Sequence, residues 1–336
     1  MTDGFAKRTA QTEAREESVT DPRPISSFWS DPTEGWTLVV HGGAGQLRQL
    51  GLSPDAEAHS RKVLTTALDA GAAILARGGG AVDAVEAAVR VLEDDPFFNA
   101  GRGSVFSAEG VNELDAAIMD GASRAAGAVS AVTKARNPIT LARAVMERSP
   151  HVMLTAPGAD RFGAEHEIEQ AAPAWFHTDE RWRQYEELRA GGTFDVNLKY
   201  GTVGAVARDM AGHLAAATST GGLTGKRWNR IGDSPVVGAG TWAEDAGAAT
   251  SCTGSGEHFI RVGAAHELSA RVRLAGEPIG TAGAGVIGAI GDLGGIGGLI
   301  SVDRAGRGGW CFNSEGMYRG MARADRQHRI ELYGDA

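Results

Sequence analysis

The chain has 336 residues, 42% hydrophobic and 22% charged, with a formal charge of −9 and only two cysteines, Cys252 and Cys311. That length can bury a sizeable core, and the acidic balance without a long basic block argues against nucleic-acid or anionic-membrane partners. The cysteine count implies a reducing compartment and no disulfide framework, though one bridge stays open; with no apolar stretch resembling a signal peptide or a membrane span, a cytoplasmic protein is expected.

Residues 1–35 are polar, contain prolines and lack periodicity, so they read as a disordered or loosely docked arm. Residues 37–40 (TLVV) form a strand running into His41-Gly42-Gly43-Ala44-Gly45, which is either a backbone-lined loop near a site or a glycine turn after a core strand. HGGAG fits neither G-x-G-x-x-G nor G-x-x-x-x-G-K-[ST], so phosphate binding is not supported. Ser53-Pro54-Asp55 starts a helix in which Val63, Ala67, Gly71 and Ile74 recur at helical spacing, and residues 83–93 repeat the pattern.

Pro96 stops that second helix, residues 99–103 make a tight glycine loop, and residues 104–106 and 113–119 read as strands. The loop could offer carbonyls to a hard cation, Asn99 could orient a site, or the segment could be an ordinary connection. A strand over 125–135, a helix over 138–148, a short strand over 152–155 and a helix over 157–169 follow. Residues 172–199 mix aromatics with dense charge and read as an exposed loop where proteolysis is tolerated, or as a solvated helix face.

Residues 203–207 and 213–218 are β-prone runs joined by a turn at 209–212, a hairpin with Thr202 as the first residue of an edge. A cut between Gly201 and Thr202 would put a hydroxyl nucleophile and a free α-amine, titrating near ~8, on one residue. Without a cut, Thr202 is a β-branched residue opening a strand. Arg230 and Asp233 could together grip a ligand carrying both charges, such as a free amino acid end, or form a surface ion pair. Residues 250–256 (TSCTGSG) read as a small-residue turn whose N–H groups could make an oxyanion hole. Helices over 257–273 and 281–290 and strands over 297–303 and 310–313 complete the chain. Cys252, His258 and His266 match no ordinary zinc spacing.

The blocks HGGAG, NAGRGSVF, ELDAAIMDG, GTVGAVA, TSTGG, NRIGDSP, CTGSGE and FNSEGMYRG stand in the order seen in plant-type L-asparaginases, also called isoaspartyl peptidases. The chain resembles that family over almost everything from Trp36 to Met321. The resemblance implies an α+β N-terminal nucleophile hydrolase, a four-layer αββα sandwich. Its single domain, residues 36–336, would cut itself between Gly201 and Thr202 into an α piece (to 201) and a β piece (202–336). Two such αβ units would pair as a heterotetramer.

Residue by residue, the resemblance makes Thr202 the nucleophile and its α-amine the base, with Thr220 as the neighbouring hydroxyl. Arg230 would take the substrate α-carboxylate and Asp233 its α-ammonium. Thr253 and Gly254 would hold the oxyanion, Gly256 would contact substrate through its backbone, and Asn99 would help hold the nucleophile. Main-chain oxygens of Leu92, Glu93, Asp95, Phe98, Ala100 and Arg102 match a structural sodium site, and no cofactor is implied for catalysis. The implied reaction is hydrolysis of L-asparagine, of β-aspartyl dipeptides, or of both, through a β-aspartyl ester on Thr202.

Asn229, Ser255, Ile296 and Tyr200 depart from residues common in that family. A glycosylasparaginase-like or protein-cleaving threonine hydrolase, and a small-molecule binding protein that keeps the clamp without cutting itself, are the alternatives. The GTVG start and the lack of a signal peptide weigh against a glycosylasparaginase.

Overall fold

The computed structural model describes residues 24–49, 51–191 and 201–334. Strand β1 (Ser26–Trp29) precedes β2 (Thr37–Gly45), in which every residue is buried. Helix α1 (Pro54–Ala76) starts as its residues dictate: Ser53 Oγ accepts the Ala56 N–H at 3.2 Å and Pro54 fills the first turn, where no N–H is needed. Helix α2 (Ala81–Asp94) buries Ala84, Val85, Ala88, Val89 and Leu92, and a 3₁₀ turn (Gly101–Gly103) follows it.

Next come β3 (Leu114–Asp120), β4 (Ala126–Val132), α3 (Pro138–Arg148), β5 (Met153–Thr155) and α4 (Ala156–Glu165). After α5 (Pro173–Phe176) and α6 (Asp179–Arg189) stand the hairpin β6 (Val203–Arg208) and β7 (Leu214–Thr220), then β8 (Thr241–Ala243) and β9 (Ala248–Gly254). Helices α7 (Gly256–Val262), α8 (Ala264–Ala270) and α9 (Ile279–Asp292) lead to β10 (Gly297–Asp303), β11 (Gly308–Phe312), β12 (Gly316–Arg323) and β13 (Arg326–Tyr333).

Among the described residues the strands form two sheets, one in the order β1-β11-β10-β9-β8 and one in the order β13-β12-β2-β6-β7-β3-β4-β5. The period-2 alternation of strands sorts side chains to opposite faces. In β2, Leu38 and Val40 join the core that α1 to α3 cover, while Val39 faces Ile300, Val302, Trp310 and Phe312 of the smaller sheet. A third core sets Cys252, Leu299 and Cys311 against Phe259, Leu268, Val286 and Ile290 of α7 to α9. The architecture is therefore α+β, with apolar cores on both faces of each sheet. Both cysteines are free and buried, which closes the question of a bridge. Among the described residues no helix is long and apolar enough to cross a membrane.

Several expectations need correction. Ser26–Trp29 lies inside the expected arm yet is an edge strand paired with β11, its Trp29 resting where Gly280 and Gly283 of α9 leave room; residues 1–23 lie outside the described residues. Strand β6 is not at an edge but between β2 and β7. The TSCTGSG stretch is no turn: most of it lies in β9, because pairing on both sides by β8 and β10 overrides the turn preference of its small residues. The expected helix over 257–273 breaks at Gly263, φ +65°, and two strands, β12 and β13, follow the one expected to be last. In the segment 172–199 the helix alternative, not the loop, holds for α6, with the short α5 before it, and residues 192–199 lie outside the described residues.

Candidate active site

Thr202 immediately precedes β6 and is 8% exposed. Its Oγ donates to Thr220 Oγ at 3.1 Å, and Thr220 Oγ accepts the Gly222 N–H at 3.0 Å, so the hydroxyl at the start of one hairpin strand meets the hydroxyl at the end of the other. Asn99 ties this corner together. Its N–H donates to the Gly201 carbonyl (3.1 Å) and its own carbonyl accepts the Gly221 N–H (3.0 Å). Its side chain donates to Gly222 O (2.8 Å) and accepts the Val105 N–H (3.0 Å). A Cβ on Gly201 would stand 2.6 Å from Asn99 Cβ, so only glycine allows this approach.

Sequence reasoning left His41 open, and the structure places it beside Thr202. His41 is fully buried, pairs in register with Gly204 and shares a 2.9 Å hydrogen bond with Ser251. Ser251 in turn meets Thr218 at 2.7 Å, and Thr241 donates to Thr218 at 2.7 Å. Burial pushes the imidazole down to about 3, against a smaller upward pull from the Thr202 main chain, so His41 is neutral at physiological pH. It is a fixed polar support, unsuited to serve as the base. The signal was the HGGAG histidine itself; its partner lies 210 residues away.

Thr202, Thr220, Arg230, Asp233 and Gly254 line one cleft, together with Gly201. Asp233 is 3% exposed, its Oδ2 has no hydrogen-bond partner, and burial raises its carboxyl to about 7. An orphaned buried oxygen in a cleft calls for a donor from outside the protein. Arg230 gives both Nε and Nη2 to Glu257, and side chains at Gly232 or Gly256 would run into its guanidinium. Burial works to lower the arginine, and Glu257 more than offsets it, so the charge is secure. Glu257 was missed by sequence reasoning because it lies 27 residues from its partner.

Thr253 Oγ accepts the Ala44 N–H at 3.3 Å, which links β9 to the HGGAG strand. Gly254 has φ +142°, and a Cβ there would lie 2.3 Å from the Ile296 carbonyl. Ile296 acts through its backbone: its carbonyl accepts the Ser255 N–H (2.8 Å) and its N–H donates to Ser255 Oγ (3.1 Å). Nothing in the structure explains the isoleucine side chain at this position.

The family model described as asparaginase matches residues 34–332. The chain belongs to the asparaginase family. It is 44% identical over 306 residues to the isoaspartyl peptidase of Salmonella typhimurium, covering 88% of this chain and 98% of the relative. It is 43% identical to the isoaspartyl peptidase of Escherichia coli, covering 88% and 95% of the two chains, and 40% identical to the isoaspartyl peptidase/L-asparaginase of Bos taurus, covering 89% and 96%.

Within this asparaginase-family chain, the loop from Leu92 to Arg102 curls so that the carbonyls of Glu93 and Phe98 point where Cβ atoms at Gly101 and Gly103 would sit, 2.4 and 2.0 Å from them. The Glu93 side chain is turned away from the loop: it accepts Ser219 Oγ (2.6 Å) and the Ile139 N–H (3.0 Å), and burial raises it to about 8. Among the described residues no group of three His, Cys, Asp or Glu could hold a metal, so Cys252, His258 and His266 do not converge on one.

Proposed function

We propose that this chain is an N-terminal nucleophile hydrolase of the four-layer αββα type. It cuts itself between Gly201 and Thr202 and then hydrolyses L-asparagine and β-aspartyl dipeptides in the cytoplasm as a dimer of αβ units. The two sheets with their three cores support the layering, and the names of the curated relatives support the substrates.

One observation carries the reading. A buried threonine hydroxyl and an orphaned buried carboxylate oxygen, with an arginine beside it, line the same cleft. A free aspartyl end needs that set: Arg230 for its carboxylate, Asp233 for its ammonium, and Thr202 Oγ for the side-chain carbonyl. With Gly201 in place the cleft has only about 10 Å³ of free space, room for a single water at most. Freeing the Gly201 end opens it, so maturation and access are one event.

For the cut, Thr202 Oγ attacks the Gly201 carbonyl, whose oxygen the Asn99 N–H holds at 3.1 Å. The Gly201 acyl group moves from nitrogen to oxygen and the hydroxyl proton ends on the Thr202 nitrogen. Water then cleaves the ester, leaving a Gly201 carboxylate and a free α-amine. In turnover that amine takes the Oγ proton, Oγ attacks the amide carbonyl, and the leaving nitrogen departs with a proton as ammonia or an amino acid. Water releases aspartate from the Thr202 ester. Thr220 orients Oγ throughout, and Thr253 with Gly254 takes the oxyanion of the turnover step.

The curled Leu92 to Arg102 loop offers hard carbonyl donors of the type a sodium ion takes, with Glu93, Phe98, Leu92, Asp95, Ala100 and Arg102 as its ligands. Such an ion would stiffen the Asn99 loop and take no part in the chemistry.

The test is a denaturing gel of purified wild type beside Thr202→Ala, with N-terminal sequencing of the smaller fragment. A fragment beginning TVGAVA only in the wild type, active on asparagine and β-aspartyl dipeptides, is expected. A chain that stays intact through long incubation sinks the reading.

A further inference from the structure

Helix α6 lies just upstream of the proposed cut, and its charge pattern suggests a solvated face. One residue breaks that pattern. Arg181 is 6% exposed, while Arg183, Glu180 and Glu187 pair with one another on the outside. The Arg181 N–H caps onto Thr178 Oγ at 3.3 Å and Nη1 bonds Gln184 Oε1 at 3.2 Å, which aims the rest of the guanidinium inward.

There Nε donates to the Gly103 carbonyl at 2.7 Å and Nη2 to the Phe97 carbonyl at 3.2 Å. These two carbonyls bracket Asn99, whose N–H holds the Gly201 carbonyl and whose side chain and carbonyl hold Gly222 and Gly221. Burying a guanidinium is costly, and burial lowers this one to about 10; it stays charged. A planar fork spanning two carbonyls is what an arginine supplies and a lysine does not.

We infer that Arg181 is a positioning residue for self-cleavage: it pins the Phe97 to Gly103 loop so that the Asn99 N–H meets the Gly201 carbonyl oxygen as charge develops there. The segment before the cut is thus part of the cleaving apparatus. The inference rests on the proposed self-cleavage. A donor to a developing oxyanion is sensitive to small displacements, and an error near 1 Å can cost about 100-fold in rate. Asn99 reaches Gly201 by a single main-chain bond, so whatever fixes the loop fixes the rate.

The experiment uses the full-length chain. Self-cleavage of Arg181→Met and Arg181→Lys is followed from synthesis by denaturing gel and intact mass, with circular dichroism and a thermal melt to establish folding. The cavity of about 450 Å³ lined by Arg181, Phe97, Phe98, Tyr318 and Gly201 gives added guanidinium ion a route to the vacated position in the methionine variant. Expected are cleavage slowed at least tenfold in both folded variants, partial rescue of Arg181→Met by millimolar guanidinium, and no rescue by ammonium. The KM for asparagine of chains already cut should stay within twofold of wild type, since Arg230 and Asp233 do not touch this loop.

Wild-type cleavage rates in a folded Arg181→Lys overturn the inference, even if the methionine variant does not fold. A slowed Arg181→Met rescued equally by ammonium also overturns it, because charge alone would then suffice. A wild type that never cuts itself overturns the cleavage reading, and this inference with it.

Discussion

Arg230 and Glu257 share two hydrogen bonds of 2.7 Å, Nε to Oε1 and Nη2 to Oε2, while Nη1 lies on the Gly232 side of the guanidinium. Glu257 therefore holds one edge of the fork, which leaves the Nη1 end for the substrate carboxylate in the proposed reading. The prediction for Glu257→Gln is a KM for asparagine about three- to tenfold higher with kcat within twofold, the effect of losing a half-exposed ion pair of ~1 kcal/mol. Steady-state kinetics decides it, and an unchanged KM would show that the arginine needs no brace.

Asp233, raised to about 7 by burial, must be ionised to receive an ammonium group. Binding of L-aspartate as a competitive inhibitor should therefore weaken as pH falls through 7, by up to about tenfold per unit. Inhibition constants between pH 5 and 8 report on this without involving the catalytic base. Asp233→Asn should flatten the profile and weaken binding at every pH.

Glu93 titrates near 4.5 when unfolded and near 8 when folded, because burial favours the protonated form. Its contribution to stability is full below 4.5 and is lost as pH rises toward 8, at a slope of at most ~1.4 kcal/mol per unit. Glu93→Gln removes that loss, so its melting temperature relative to wild type should rise between pH 5 and pH 8. A difference that does not change with pH would show that Glu93 is already ionised in the folded chain.

A Cβ at Gly204 would lie 2.1 Å from Ser251 Oγ and 2.4 Å from His41 Nε2. Gly204→Ala should therefore break the His41 to Ser251 bond two residues from Thr202. The expected cost is about 1–3 kcal/mol of stability together with slowed self-cleavage, read by denaturant melts and by gel. Full activity in this variant would mean the buried hydroxyl chain is only packing.

Asn229 stands where the family often has glycine, and it adopts φ +52° as a glycine would, with Nδ2 donating to Glu113 at 3.1 Å. Asparagine tolerates this region better than other side-chain-bearing residues. Asn229→Gly is expected to change KM by less than twofold, which kinetics on asparagine will show.

Much of this was legible in the chain itself. The hairpin β6 and β7 follows from two β-prone runs and the turn at Asp209 to Gly212, and α3 from Pro138 at its first turn. Arg230 and Asp233 were readable as opposite charges in a glycine-rich loop, and they line one cleft. What stayed hidden depends on distant partners. Strand β9 is built of serine, threonine and glycine, whose local preference is for turns, and only its two neighbours make it a strand. Strand β12 lies beyond the last strand expected from the sequence, and its Arg319 and Arg323 are buried, Arg319 paired with Glu331. Arg181 and Glu257 carry no local mark, because the partners that define them lie far along the chain, and His41 had only its place in HGGAG.

The order of the larger sheet bears on what a cut at Gly201 can and cannot release. Strands β13 and β12 lie after the cut, β2 before it, β6 and β7 after it, and β3 to β5 before it. The two products would be interleaved like fingers of clasped hands, joined along three seams in this sheet, β12 with β2, β2 with β6, and β7 with β3, and along a fourth, β1 with β11, in the smaller one. Neither half can be traded between molecules without unravelling the sheet. A chain cut as proposed would therefore keep for its lifetime the two halves it was synthesised with, and a lesion in one half would not be complemented by a sound copy from a neighbour.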